Sequence, residues 1–305
     1  MENKTAGHLS AIITILIWGT TYISTKILLY DFSPIEILFF RFTIGAIALM
    51  IIYPYRLKVT DKKLEFLFVC AGLCGVTLYY LLENIALTFT MASNVGVISA
   101  VVPFFTAVLT YLFLKDEPLR VNFFIGFVVA MTGICLISFN GTSNFQLNPL
   151  GDLLAVAAAL VWAVYSVLTR KISHYGYNTI QTTRRVFFYG ILFMIPVLFL
   201  FDFKLGLERF TNPVSLFNIL FLGLGASALC FVTWNFAVKV LGAVKTSIYI
   251  YIVPVITVVT SIIVLHEEMT WLAAFGTILT LTGLFISESK INLKNKGEWA
   301  NGYTK

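Results

Sequence analysis

Charged side chains are scarce in this sequence. Lys, Arg, Asp and Glu make up 12% of the 305 residues, whereas hydrophobic residues make up 59%. Soluble globular chains carry about 25% charged and about 45–50% apolar residues. The composition therefore excludes an ordinary soluble domain and predicts an integral membrane protein. The formal net charge of +6 then indicates basic cytoplasmic loops and no nucleic-acid partner.

Cysteine clusters and the motifs of common enzyme classes are also missing. The four cysteines (Cys70, Cys74, Cys135 and Cys230) lie in apolar segments and form no Cys-x-x-Cys or Cys/His cluster. Such cysteines predict small packing residues with no metal site. The sequence has no His-Glu-x-x-His, Gly-x-Ser-x-Gly or phosphate-binding glycine loop. We therefore expect no catalytic residue, no cofactor and no direct use of ATP.

Long apolar runs dominate the sequence instead. A helix that crosses a membrane needs about 20 apolar residues, and continuous runs of that length exclude β-strands. The sequence predicts ten such spans, at residues 8–29, 35–54, 64–88, 92–114, 121–140, 150–170, 180–202, 213–238, 243–265 and 270–287. The expected fold is an all-α integral membrane protein with ten transmembrane helices.

Basic residues are divided unevenly between alternate loops. Ten spans place both termini on one side, and the loops of the opposite side hold only Lys204 and Arg209 as basic residues. Basic loops face the cytoplasm. We therefore expect a multi-pass protein of the cytoplasmic membrane, with both termini and the polar basic tail at 290–305 in the cytoplasm.

The sequence also contains an internal repeat. Trp18 aligns with Trp162 at a shift of 144 residues, and further along Asn84 aligns with Asn235 at a shift of 151. The sequence thus predicts two five-helix units, at 1–145 and 146–289. Because five is odd, the second unit enters the membrane from the opposite side. Inverted repeats are typical of secondary transporters, which bind substrate between the repeats near the midplane.

Aromatic and hydroxyl side chains follow one face of the first helix in each unit. A single such residue is most simply explained by packing or by a hydroxyl bond to its own helix. The match between the two units instead favours two walls of one substrate cavity, to which the paired asparagines belong. This predicted pathway comprises Trp18, Thr21, Tyr22, Thr25, Trp162, Tyr165, Ser166, Thr169, Asn84 and Asn235.

Charged and polar residues are expected at the two mouths of that pathway. Glu83 is the only acid well inside a span, so Lys26 or Arg41 is its expected partner, because a charge in hydrocarbon costs about 2.5–3.5 kcal/mol. The pair is either a static seal or a gate, and Glu83 is also a candidate for coupling export to proton entry. The cytoplasmic cations fit either the general bias of basic loops or attraction of anionic substrates. The predicted gating and coupling residues are Lys26, Arg41, Glu83, Asn94, Arg170, Arg185, Trp234 and Lys245.

Proline and glycine pairs recur at matched positions as well. Pro103 and Pro254 lie mid-span and predict paired bends, either beside the cavity or fixed by packing. The segments at 126–133 and 276–283 begin and end with glycine. They predict close helix packing or a contact with a second copy of the chain.

At these residues the sequence resembles the EamA-domain transporters of the drug/metabolite transporter superfamily. The resemblance lies in "IWGTTYISTK", "SPIEILFFRF" and "ALTFTMASNVGVISAVVPFFTAVLTYLFLKDEPL", and the last is echoed by "AVKVLGAVKTSIYIYIVPVITVVTSIIVLHEEMT". It covers residues 7–288 but departs from the pattern at Ala163 and Asn178. Family-type positions are Trp18, Gly19, Lys26, Pro34, Arg41, Pro103, Glu117, Arg185, Pro254 and Glu268.

The resemblance implies ten helices in two inverted repeats, cytoplasmic termini and export through a central cavity. The expected activity is therefore secondary export of small organic metabolites, amino acids or toxic compounds by alternating access, with proton coupling as one option. The expected partners are a small-molecule substrate and the lipid bilayer. A lipid or lipid-linked-sugar flippase of the same fold is the main alternative, and a channel or membrane enzyme is a weaker one.

Overall fold

The computed structural model describes residues 4–90, 92–114, 121–138, 148–201, 203–256, 259–260 and 271–288. Within those ranges the regular structure is helical, without strands. We number the helices in chain order: α1 Lys4–Leu28, α2 Pro34–Ile52, α3 Lys62–Phe89, α4 Ala92–Ser99 continued by Val102–Phe113, α5 Val121–Ser138, α6 Pro149–Ser173, α7 Thr179–Leu200, α8 Pro213–Leu241, α9 Ala243–Ile256 and α10 Trp271–Glu288.

Helix length and composition confirm an all-α membrane protein. Six helices (α1, α2, α3, α6, α7 and α8) are long and apolar enough to cross a membrane, and the other four are shorter apolar helices. The outer surface is apolar, as lipid requires: the side chains of Ile51 and Phe199 are 76% and 82% exposed. Each helix corresponds to one span predicted from the sequence.

The starts of α2 and α7 explain one departure from the family pattern. Ser33 caps α2, with Pro34 following it and Glu36 completing a capping box. In the second repeat Asn178 stands where proline was expected. Its side chain accepts hydrogen bonds from the backbone of Ile180 and Gln181 and thereby caps α7. Both sequences satisfy the free N–H groups of a helix start, by different residues.

Contacts between the two repeats follow an exchange symmetry. Helix α1 packs against α8, and its counterpart α6 packs against α3. Helix α2 packs against α7, and α5 packs against α10. Each of these pairs joins corresponding helices of the two repeats, the second helices in one case and the fifth helices in the other. The first helix of each repeat is thus buried against the third helix of the other. The chain forms two inverted five-helix repeats that share one core.

The glycine-bounded segments pack against each other inside one chain. A Cβ atom added at Gly133 would lie 2.5 Å from the carbonyl oxygen of Gly276, and one at Gly126 would lie 2.5 Å from that of Gly283. Only glycine permits this approach of α5 to α10. These faces are therefore occupied within the chain, and a homodimer remains a prediction that would need another surface.

Irregular turns occur at matched places in the two repeats. Helix α3 widens to π-helix over Leu73–Leu78, and α8 does so over Phe221–Leu229. Helix α4 is interrupted at residues 100–101 just before Pro103, and α9 tightens to a 3₁₀ helix over Ile248–Ile252 just before Pro254. A proline in the first turn of a helix loses no internal hydrogen bond, which explains the position of Pro103.

Candidate functional site

An aromatic cluster lies where the two repeats meet. The rings of Trp18 and Trp162 are 5.2 Å apart in edge-to-face contact. Trp234 lies 5.1 Å from Trp18, and Tyr79 lies 4.6 Å from Trp162. The two tryptophans that align in the sequence are therefore in contact in space. Such ring pairs contribute about 0.5–1.5 kcal/mol beyond the area they bury.

The widened turns of α8 hold two of the site's polar side chains. The Trp18 indole Nε1 donates to the carbonyl of Ala226 at 2.9 Å. Arg41 Nε donates to Ser227 Oγ at 3.0 Å. Both acceptors lie in the π-helical segment, where the wider turn presents backbone and side-chain oxygens to neighbouring helices.

A cavity opens beside this cluster and is called here the central cavity. Five of the residues predicted from the sequence line it: Trp18, Thr21, Tyr22, Glu83 and Trp162. The sequence did not single out the other lining residues, which are Ile15, Tyr79, Tyr80, Ser99, Val102, Ile250 and Val253. Tyr79 and Tyr80 precede Glu83 by one helical turn, and this spacing was the available signal.

Glu83 is the buried carboxylate of the central cavity, with 6% of its surface exposed. The Tyr79 side chain is its polar neighbour on the same helix. Across the cavity the Tyr22 hydroxyl donates to Ser99 Oγ at 3.2 Å, and Ser99 donates to the carbonyl of Gly96. Glu83 thus shares the central cavity with the hydroxyl groups of Tyr79, Tyr22 and Ser99.

The expected ion pair of Glu83 with Lys26 is not formed. Lys26 Nζ donates to the Leu87 carbonyl at 2.6 Å, at the C-terminal end of α3. Arg170 does the same in the other repeat: its Nη1 donates to the carbonyls of Val238 and Lys239 at the end of α8. Leu87 and Val238 align at the repeat shift of 151. The two cations are therefore matched caps of helix C-termini, where carbonyls lack internal donors.

Arg41 is also not in ion-pair contact with Glu83. The residue is 1% exposed, and its guanidinium stacks over the Tyr80 ring, 4.3 Å from the centroid. Among the described residues its Nη2 atom has no hydrogen-bond partner. Its charge acts on Glu83 from a distance and is not itself part of the cavity wall.

The stripe on α6 diverges from the one on α1. Of its four residues only Trp162 lines the central cavity, whereas Thr169 lines a second cavity together with Asn235. Between the two cavities Tyr165 donates to Asn235 Oδ1 at 2.8 Å, and Asn235 donates to Thr183 Oγ1 at 3.0 Å. Most of the α1 stripe thus lines the central cavity, whereas the α6 stripe contributes only Trp162 to it.

Several predicted residues lie away from both cavities. Ser166 donates to the carbonyl of Trp162 on its own helix. The Asn84 amide donates to the Pro34 carbonyl at 3.1 Å and joins α3 to α2. Thr25 is buried, and Lys245 is half-buried at the start of α9. The side chain of Asn94 and the whole of Glu117 and Glu268 lie outside the described residues.

Two ion pairs connect the repeats at opposite ends of the bundle. Arg185 pairs with Glu65 on α3 at 2.5 Å, and Tyr189 donates to the same carboxylate. At the other end Arg209 pairs with Glu36 on α2 at 2.8 Å. Arg185 is one of the predicted gating residues, whereas Glu65 is not among the predicted residues. The available signal was an acid in the first turn of α3, where acids are favoured.

Comparison with known proteins places these features in context. The model of the EamA-like transporter family matches residues 5–139 and 149–288. An "uncharacterized transporter" of Archaeoglobus fulgidus is 28% identical over 295 residues, covering 95% of this chain and 99% of its own. The "uncharacterized transporter YyaM" of Bacillus subtilis is 27% identical over 291 residues, covering 90% of this chain and 91% of its own.

The fold is also found among solved structures. A crystal structure with 20% sequence identity matches this chain with a TM-score of 0.74, and the match covers 94% of this chain and 98% of that one. At this level of identity the likeness concerns the fold alone.

Proposed function

Because the chain belongs to the EamA-like transporter family, we propose that it is a secondary transporter that exports small organic molecules by alternating access. The observation that supports this most is the central cavity, which lies where the first helices of the two inverted repeats meet through Trp18 and Trp162. Substrate sites of inverted-repeat transporters lie at such an interface.

The proposed units of motion are the two repeats, at 1–145 and 146–289. Following the bias of basic residues, we place both termini, the tail at 290–305 and the Arg185–Glu65 pair on the cytoplasmic side of the cytoplasmic membrane. The Glu36–Arg209 pair is then external. Each pair joins the second helix of one repeat to the other repeat, so it resists opening at its own end.

The Tyr165–Asn235–Thr183 chain is the proposed inner closure. It lies between the central cavity and the second cavity, and its residues come from α6, α8 and α7. Opening toward the cytoplasm would break these two hydrogen bonds and connect the cavities. Each bond contributes about 0.5–1.5 kcal/mol, small enough to be broken and re-formed during a transport cycle.

Glu83 is the proposed coupling residue. It is buried, it lines the central cavity, and among the described residues it makes no ion pair with Lys26 or Arg41. A carboxylate in that position can accept and release a proton as the cavity changes sides. Lys26 and Arg170, as caps of their neighbouring helices, have no part in this step.

A transport assay tests the proposal. An overexpressing strain is first screened for resistance to toxic amino acids, analogues and drugs, and a compound that gives resistance is then followed in vesicles containing the purified protein. We expect saturable flux that depends on a pH gradient. Glu83→Gln should abolish the dependence on the gradient, whereas Glu208→Gln, at an exposed surface carboxylate, should preserve it.

Two outcomes would contradict the proposal in different ways. Unchanged rate and pH dependence in Glu83→Gln would remove Glu83 from the mechanism. Movement of lipid without solute flux would favour a flippase of the same fold.

A further inference from the structure

The wall of the central cavity has a composition that indicates a class of substrate. Five of the twelve described lining residues are aromatic, namely Trp18, Tyr22, Tyr79, Tyr80 and Trp162. The remaining wall is aliphatic or hydroxyl-bearing, apart from a single carboxylate. Among the described lining residues, Glu83 is the single acidic residue, and none is Lys, Arg or His.

Positive charges near the cavity are directed elsewhere. Arg41 lies on the Tyr80 ring and donates to Ser227, and it does not line the cavity. Lys26 donates to the carbonyl of Leu87 at the end of α3. A ligand in the cavity therefore meets the carboxylate directly, while neither Lys26 nor Arg41 lines the cavity.

Aromatic faces and a buried carboxylate favour the same kind of ligand. The face of an aromatic ring attracts a cation, most strongly when water is excluded. A carboxylate removed from water is stabilised by an opposite charge in contact with it. An anion in the cavity would instead meet a like charge and ring faces that repel it. The carboxylate of a zwitterion would find no cationic lining side chain.

We propose that the central cavity binds a monovalent organic cation, an amine or quaternary ammonium compound with a small apolar or aromatic body. The inference rests on the proposed function, since the bound cation is the transported substrate. Its charged group contacts Glu83 and the neighbouring tyrosines, and its apolar body packs against the rings of Trp18 and Trp162 that line the cavity.

Three ligands with the same benzyl body and different charge test the class of substrate. Benzyltrimethylammonium is a permanent cation, phenylalanine a zwitterion and 3-phenylpropanoate an anion. Their binding to the purified wild-type protein in lipid nanodiscs is measured by calorimetry. We expect the cation to bind most tightly. Equal or tighter binding of the anion or the zwitterion, or no binding of the cation at millimolar concentration, would overturn the proposal.

A variant tests the role of the carboxylate. Glu83→Gln keeps the size of the side chain and removes its charge. The affinity for benzyltrimethylammonium should therefore fall at least about tenfold, which is the usual effect of losing an interaction with a charged group. Glu208→Gln removes an exposed carboxylate from the Leu207–Thr211 turn and should leave the affinity unchanged. Unchanged affinity in Glu83→Gln would overturn the assignment. If that variant fails to fold, the wild-type series alone decides.

Flux in vesicles separates this inference from the proposed function. Binding of the cation with saturable flux supports both. Saturable flux restricted to zwitterions or anions would overturn the cation site and leave the transporter standing. Binding of the cation with no flux of any of the three compounds would contradict transport and retain the site.

Discussion

At the scale of single residues, long basic side chains and aromatic rings behave differently in the core of the protein. Lys26 and Glu83 are expected at the same depth, yet the lysine donates to the Leu87 carbonyl. Trp18 and Trp162 are in contact as their alignment suggests. The difference is physical: aromatic rings in a helix interface have few places to pack, whereas a lysine side chain reaches several acceptors.

The capping role of Lys26 gives a first prediction. Lys26→Met should lower the free energy of unfolding by about 0.3–1 kcal/mol, because carbonyls at the end of α3 lose their donor. Lys26→Arg, which keeps a donor, should lie close to wild type. The measurement is thermal unfolding of the purified protein, with transport measured in parallel. A gate that pairs with Glu83 would behave differently, with altered transport and unchanged unfolding in Lys26→Met.

At the scale of helices, the matched π-helical segments of α3 and α8 have no signature in the sequence. Each lies against the other repeat: Thr77 in α3 donates to the Gly190 carbonyl on α7, and Ala226 in α8 accepts from Trp18 on α1. A wide turn depends on packing from outside the helix, so local propensity does not indicate it.

The glycines of these segments give a second prediction. A Cβ atom at Gly75 would lie 2.2 Å from the ring of Tyr165, which is buried and bonded to Asn235 and has little room to move. Gly75→Ala should therefore destabilise the protein by about 1–3 kcal/mol.

Gly225→Ala is the matched control in the other segment. The nearest atom to its added Cβ is 3.5 Å away, on the flexible Phe221 side chain. This variant should be neutral, or stabilised by up to about 1 kcal/mol, because alanine loses less backbone freedom in a helix. Equal effects of the two substitutions on the unfolding temperature would contradict the packing of Tyr165 on α3.

At the scale of the whole molecule, the exchange symmetry is broken at the site. Glu83 of the first repeat aligns with Trp234 of the second. The central cavity therefore carries a carboxylate on one side only, and the second cavity carries Asn235 and Thr169 without an acid. Two nearly symmetric repeats are compatible with a rocking motion. The residues that differ between the repeats give the central cavity an acid and the second cavity neutral hydroxyl and amide groups at Thr169 and Asn235.

The Arg185–Glu65 pair gives a prediction at this scale. Glu65→Gln removes the ion pair proposed to hold the cytoplasmic end closed, so that end should open more often. In a cysteine-free background, Ser173→Cys at the second cavity should react with an impermeant maleimide about two- to fivefold faster. This is the factor expected from a solvent-screened pair of up to about 1 kcal/mol. Glu208→Gln should leave the rate unchanged, and an unchanged rate in Glu65→Gln would argue against a closing role.

Most of the fold could be predicted from the sequence, and the candidate site only in part. Ten apolar runs and the internal repeat suffice for the number of helices and their inversion, because the hydrocarbon core fixes span length and an odd repeat must invert. Trp18, Tyr22 and Trp162 were predicted to line the pathway from matched helical faces, whereas Glu83 was predicted at the external mouth and lines the central cavity. Asn84 and Ser166 were misplaced because a shared face in each repeat does not specify how far the helices rotate toward one another.

The sequence by itself determined the membrane class, the helices, the repeat and the residues that had to face protein. The transfer of apolar side chains into lipid and the cost of a charge in lipid depend on the residues of each segment alone. Both can therefore be inferred from the sequence. Only the tertiary structure decided that Arg41 lies on Tyr80, that Arg185 pairs with Glu65, and that Tyr165 and Asn235 separate two cavities. Those contacts join residues up to 120 positions apart, and side-chain reach and helix rotation decide among several acceptors that the sequence leaves equivalent.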